Sequence, residues 1–165
     1  MRASLGIVFA LIASAGSSAA ADNLVREVRH ELLLVPGYTA FDWIAYRTDG
    51  AKVTLLGDVV RADLKRDAEK AVKSIDGVGS VQNDIEVLPA SGSDDQIRRG
   101  VLQAIDKEMF AYLSELVKRI HIIVKGGNVT LEGTVSSQAD KDSAAALAKH
   151  VQQVRSVTNN LVIQK

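Results

Sequence analysis

Val53-Thr54-Leu55-Leu56-Gly57-Asp58-Val59 returns 76 residues later as Val129-Thr130-Leu131-Glu132-Gly133-Thr134-Val135. The same offset carries Ile44 to Ile120 and Gly50 to Gly126. It also carries Val81, Asn83 and Ile85 to Val157, Asn159 and Leu161, with no gap between positions 44 and 87. Further upstream the offset becomes 73, pairing Leu24, Val28 and Leu32 with Ile97, Val101 and Ile105. The second copy therefore holds three extra residues between its first helix and first strand. Solenoids use shorter repeats and more copies, so the economical reading is two small duplicated domains.

Each copy can be read from its periodicity. Leu24, Val28 and Leu32, like Ile97, Val101 and Ile105, lie four apart and predict a helix with one apolar stripe. Ser93 and Gln96 have capping-box spacing and are expected to start the second of these helices. Alternation follows: Ile44, Tyr46 and Thr48 share one parity, matched by Ile120, Ile122 and Val124. Asp49-Gly50 and Gly126-Gly127 read as two-residue hairpin signals, because tight primed turns need positive φ. The return strands hold Val53, Leu55 and Val59, or Val129, Leu131 and Val135. Polar helices come next, with Leu64, Ala68, Ala71 and Val72, or Ala144, Leu147, Ala148 and Val151, on one side. A last short strand carries Val81, Ile85 and Val87, or Val157, Leu161 and Ile163. The expected fold class is α+β: two tandem αββαβ units, each a three-stranded mixed sheet with two helices on one face.

The expected boundaries are 22–88 and 95–165, joined by a linker over 89–94 whose Pro89-Ala90-Ser91-Gly92-Ser93 is flexible by composition. Residues 1–21 read as a secretory signal peptide: Arg2, then the apolar run Leu5–Ala13, then small residues ending Ala19-Ala20-Ala21. An uncleaved anchor helix is the competing reading, but the apolar run falls short of the roughly 20 residues that span a bilayer. No transmembrane span is expected in the mature chain.

Composition bounds the chemistry. The 165 residues are 47% hydrophobic and 24% charged, as in an ordinary globular protein. Twenty Lys+Arg balance twenty Asp+Glu, which argues against nucleic acid as a partner, since that binding needs surplus cations. There is no Cys, so disulfides, thiolate chemistry and lipid attachment through Cys are excluded. His30, His121 and His150 fall in different elements with no H-x-x-x-H, and no G-x-S-x-G elbow occurs. Gly77-Val78-Gly79 is not followed by a helix and makes no dinucleotide loop. Neither enzyme activity nor a cofactor or metal is expected.

The pattern V-T-L-x-G-x-V, then a polar helix, then V-x-N-x-[ILV], resembles the BON domain of bacterial envelope proteins. It stands once as Val53–Val59 with Val81–Ile85, and again as Val129–Val135 with Val157–Leu161. The resemblance covers nearly the whole mature chain and is similar to the dual-domain, osmotically inducible members. It implies an αββαβ fold, attachment to phospholipid membranes, and envelope maintenance under stress without established catalysis. Some relatives are lipoproteins, which the missing Cys excludes here. Within the repeat there is one departure: Gly77, at an expected helix end, is replaced by Gln153. That puts the second copy's left-handed cap in question.

The motif residues Gly57 and Gly133 sit inside strands, where Gly marks a bulge or close backbone approach. Asn83 and Asn159 share the parity of apolar neighbours and are expected to hydrogen-bond backbone at the strand's start. The aromatics are more informative for function. Outside the signal segment they fall at Tyr38, Phe41, Trp43 and Tyr46, and again at Phe110 and Tyr112, between the first helix and first strand of each copy. Tyr46 has core parity. Tyr38, Phe41, Trp43, Phe110 and Tyr112 are candidates for a membrane or partner surface, since amphipathic rings suit an interface. Arg98, Arg99, Lys107, Lys118 and Arg119 surround the second cluster. The competing reading buries these rings as caps on the two small cores or filler at the joint.

Charge divides the copies as well. Residues 95–165 hold ten cationic and seven acidic groups, whereas residues 23–88 hold nine and eleven. The second copy is thus better suited to anionic headgroups. Two functions remain open. One is an exported, periplasmic module binding an anionic phospholipid surface and maintaining the envelope under osmotic or related stress. The alternative is a soluble protein-interaction or chaperone-like module binding envelope proteins through sheet faces around Trp43, Leu56, Ile123 and Val162.

Overall fold

The apolar alternation folds as two copies of one layered unit in the computed structural model, which describes residues 19–109 and 119–164. The first copy runs α1 (Ala19–Leu34), β1 (Trp43–Asp49), β2 (Lys52–Val59), α2 (Ala62–Lys73), β3 (Ser80–Asn83) and β4 (Glu86–Val87). The second runs α3 (Gly92–Glu108), β5 (Ile120–Lys125), β6 (Asn128–Val135), α4 (Gln138–Lys149), β7 (Ser156–Asn159) and β8 (Val162–Ile163). The class is α+β, and each sheet is mixed.

The strand order is β1-β2-β3 in one copy and β5-β6-β7 in the other. β5 and β6 are antiparallel, with Ile122 opposite Leu131, while β7 runs parallel to β6 with Val129 opposite Val157. The expected last strand is broken in two. β3 and β4 both pair with β2 in parallel, and β7 and β8 do the same with β6. Between Asn83 and Glu86 two residues leave the ladder, opposite Leu56 and Gly57, and Ile85 turns into the core. The second copy repeats the break at Asn160 and Leu161, opposite Glu132 and Gly133.

Each core lies between sheet and helices. Val53, Leu55 and Val59 meet Val28, Leu32, Leu64, Ala68 and Val72 in the first. Val129, Leu131 and Val135 meet Ile97, Val101, Ile105, Ala144 and Ala148 in the second. The stripes four apart on α1 and α3 are therefore the buried ones. Two local expectations shift. α3 starts on an N-cap at Ser91, whose hydroxyl accepts from the Asp94 amide, so helix replaces loop from Gly92 onward. The first hairpin loop is Gly50-Ala51, one residue later than expected, with positive φ at Gly50 alone, whereas Gly126 and Gly127 both have it.

The chain divides into two compact units that do not follow the repeat boundary. One contains residues 19–38 and 44–88; the other joins Thr39–Trp43 to residues 89–109 and 119–164.

Candidate functional site

The two repeat motifs build scaffold. Gly57 and Gly133 have φ of 119° and 114°, a conformation that L side chains rarely adopt. A Cβ on Gly133 would lie 1.9 Å from the Arg119 carbonyl oxygen, which also accepts from the Thr134 amide at 2.7 Å. Asn83 and Asn159 stand at the end of their strands, at the break. Asn83 Nδ2 donates to the Lys65 carbonyl on α2 at 2.9 Å, and its Oδ1 accepts from the Ile85 amide at 3.3 Å. Asn159 does the same with Lys141 on α4 at 2.7 Å and Leu161 at 3.2 Å. One amide side chain thus satisfies backbone groups freed by the strand break and ties strand to helix. In the first copy Asn83 also donates to Glu69, which Lys73 meets at 2.6 Å. Lys73 first, then Asn83, holds the Glu69 carboxyl below its ordinary value.

The aromatic segment is a structural element of the second unit. The Asp42 carboxylate, fully buried, accepts from the Thr39 amide and hydroxyl at 2.9 and 2.6 Å and folds Thr39–Asp42 into a turn. That turn presents the Ala40 carbonyl to the Ile122 amide at 2.7 Å, on edge strand β5. Phe41 packs against the core of the second unit. The Trp43 ring sits 4.8 Å from the His121 ring. Phe41, half-buried against this core, fits the competing reading of the aromatics as core caps, while Ile123, expected on an open sheet face, is corrected to a buried residue. Tyr38 is corrected too: it belongs to the first core, and its hydroxyl accepts from the Ile44 amide. Trp43 keeps partial exposure. Tyr46 has its expected core contact, and its hydroxyl donates to the Val25 carbonyl at 2.8 Å; burial raises its pKa, against a smaller lowering by Arg29. Phe110, Tyr112 and Lys118 lie outside the described residues.

Among the cations, Arg98 is removed from the surface. Its guanidinium is buried, donating from Nη2 to the Val124 carbonyl at 2.7 Å and pairing with Asp95. Its neighbour Asp94 is buried as well, accepting from the Gly126 and Gly127 amides at 2.8 and 2.9 Å and so capping the hairpin. The sequence reading grouped Arg98 with Arg99 because composition cannot tell which of two adjacent arginines a helix turns inward. Arg99, Lys107 and Arg119 are exposed.

Sequence reasoning passed over Leu33 and Leu34, which are 51% and 60% exposed at the end of α1. The signal was present, since neither falls on the stripe of Leu24, Val28 and Leu32. A groove of about 410 Å³ opens between the start of α1, the Gly50-Ala51 turn and Asp76-Gly77. It brings together only Glu27 and Asp76 as ionisable side chains. Among the described residues no three His, Asp or Glu side chains cluster to hold a metal. No described helix is long and apolar enough to cross a membrane.

The duplicated scaffold has a counterpart among known families. Residues 20–89 and 93–165 each match the BON domain. The chain belongs to the BON domain family. Among curated proteins this tandem BON chain is similar to osmotically-inducible protein Y of Escherichia coli (strain K12), with 36% identity over 122 residues. That match takes in 72% of the BON chain and 60% of the relative's length. Two solved structures of CdsD, a structural protein of the type III secretion system of Chlamydia trachomatis, also align. Their TM-scores are 0.37 and 0.36 at 11% and 12% identity, covering 87% and 86% of this chain and 98% and 92% of theirs.

Proposed function

We propose that this BON protein is an exported, non-catalytic component of the cell envelope that attaches reversibly to anionic phospholipid surfaces and serves during osmotic stress. The observation that carries the reading is the cation surplus of the second copy, presented on a BON scaffold. Arg99, Lys107 and Arg119 are exposed, and residues 95–165 carry three more cationic than acidic groups. Each such cation near an anionic bilayer contributes about 1 kcal/mol, so a few suffice for reversible attachment. The stress role draws on similarity to the osmotically inducible relative, and export on the charged, apolar and small-residue order of the first 21 residues. The attachment proposed is non-covalent, through headgroup contacts of the exposed cations.

The chain from Asp22 onward should co-sediment with vesicles of phosphatidylglycerol and phosphatidylethanolamine but not with phosphatidylcholine. Most of the bound fraction should be released between 50 mM and 500 mM salt, as headgroup attraction is screened. No co-sedimentation with the anionic vesicles at 50 mM salt would sink the reading.

A further inference from the structure

We propose that the second copy meets an anionic bilayer end-on, through the pole made by the Gly126-Gly127 turn, the start of α3 and the turn after α4. The proposal rests on the phospholipid reading above and narrows it to one end of one unit. Three contacts hold that end together. Asp94 on α3 accepts from the Gly126 and Gly127 amides, and the Arg155 amide donates to the Gly127 carbonyl at 2.9 Å. A Cβ on Gly100 would lie 2.8 Å from Val151 Cγ1, so α3 also touches the turn after α4.

Arg99, Lys125, Lys149, His150 and Arg155 are all exposed at this pole. Its acidic groups are Asp94, buried against the turn amides, and Asp95, paired with the buried Arg98. Residues 91–100, 125–128 and 149–156 thus hold five cationic and two acidic groups. Residues 101–124, 129–148 and 157–165 hold five and six. The whole cation surplus of the copy therefore sits at one end. Lys107 and Arg119 lie at the other end, among Asp106, Glu108 and Glu132.

The fold does not need this charge. At the offset of 76, Lys125, Gln152 and Arg155 correspond to Asp49, Asp76 and Gly79. Over the same positions the first copy holds three cationic and four acidic groups. The pole also discriminates between partners. Protein interfaces are built around an apolar core, yet none of the exposed large apolar side chains, Leu33, Leu34, Val87 and Ile163, belongs to it. Nucleic acid is disfavoured by the neutral chain as a whole. A headgroup layer asks only for several cations at one level, and each adds its own attraction. The α3 helix starts at the pole and its 17 residues carry the opposite end about 25 Å away, beyond the reach of screened headgroup charge.

The test uses phosphatidylglycerol/phosphatidylcholine vesicles and the chain from Asp22 onward, at about 100 mM salt. K125E/R155E and K107E/R119E change net charge equally, at opposite poles. At about five-fold per unit of charge, the first should partition more than about 100-fold more weakly than wild type. The second should weaken less than about ten-fold, and both should keep the wild-type thermal midpoint. Because the chain lacks Cys, a dye can be placed by Q152C at the pole or by A139C at the far end of α4 without touching a charge. A headgroup spin label in the vesicles should quench the dye at 152 and not the dye at 139. Equal losses in the two charge variants, a larger loss in K107E/R119E, or quenching at 139 without quenching at 152 would overturn the pole and leave the phospholipid reading standing. Release of the bound protein by millimolar inorganic phosphate at constant ionic strength would overturn it too, by assigning the cations to a single free anion. So would a DNA duplex that binds as tightly as the vesicles. If wild type binds no vesicles, the phospholipid reading itself fails, and the pole with it.

Discussion

The two copies tie their first helix to their first strand from opposite sides. In the first copy the strand reaches up: Tyr46 on β1 donates to the Val25 carbonyl of α1. In the second the helix reaches down: Arg98, at the position of Val25, donates to the Val124 carbonyl of β5. Hairpin chemistry differs in the same way. Asp94 caps both amides of Gly126-Gly127, whereas the aligned residue in the first copy is Ala21 and the groove beside Gly50-Ala51 stays open. What the copies share is narrower: the inward apolar positions, a positive-φ glycine in the middle strand and an asparagine at the strand break. Backbone geometry is thus set by that short common list, while polar ties and surface charge are free to diverge. Divergence of the free part is what gives one copy a basic surface and the other an exposed leucine pair.

The comparison breaks most severely at the shared glycine. Gly133→Ala places a methyl group on the Arg119 carbonyl oxygen and forces φ of 114° on an L residue. Neither defect can relax without moving backbone in β5 or β6. The variant should lose more than about 3 kcal/mol, measured as the denaturant midpoint of the full chain. A wild-type midpoint would show that the glycine is not a fixed part of the common scaffold.

A smaller effect separates the copies at the turn after the second helix. Gly77 has φ of 93° there, and its counterpart Gln153 holds φ of 67°, the only positive φ of a non-glycine residue among those described. The turn therefore survives loss of its glycine, but under strain. Gln153→Gly should stabilise the second copy by about 1 kcal/mol, and Gly77→Gln should destabilise the first by a similar amount. Thermal midpoints of the two variants should move in opposite directions. Movement in the same direction would mean that the turns are not equivalent.

Most of this architecture was legible in the sequence because repetition doubles each signal. Val53–Val59 alone is a plausible strand; repeated 76 residues later in the same order of elements, it specifies a duplicated αββαβ unit. The strand break was hidden for a physical reason. Val81, Ile85 and Val87 keep strand-like composition through it, and only the side-chain bonds of Asn83 reveal the interruption. Thr39–Trp43 stayed open between surface and core for another reason. Aromatics next to a loop suit either place, and the buried Asp42 carboxylate is what folds the segment so that Phe41 packs, half-buried, against a core built from distant sequence. Arg98 was invisible as a buried residue because its partner, a β5 carbonyl, carries no residue-type signal. The Leu33-Leu34 pair was legible but was overlooked beside the aromatics.

The finest difference lies at the asparagine tie, and it is one of acid sensitivity. Asn83 donates to Glu69, which also pairs with Lys73, whereas the position matching Glu69 is Ala145. The folded state holds the Glu69 carboxyl below its ordinary value, so the ionised form is favoured by folding. This contribution is fully present above the unfolded carboxyl's value, near pH 4.3, and is lost as pH falls through the lowered folded value. The group is partly exposed and screened by solvent, so it adds only about 0.5 kcal/mol. Glu69→Ala should lower the denaturant midpoint slightly at pH 7 and leave it nearly unchanged in strong acid, where wild type has lost the same increment. Ala145→Glu should transplant the effect, because Lys149 stands four residues on, as Lys73 does from Glu69, and Asn159 occupies the place of Asn83. A gain at pH 7 that disappears in acid would show that the two ties differ by one carboxylate; a gain that persists in acid would assign it to helix propensity instead.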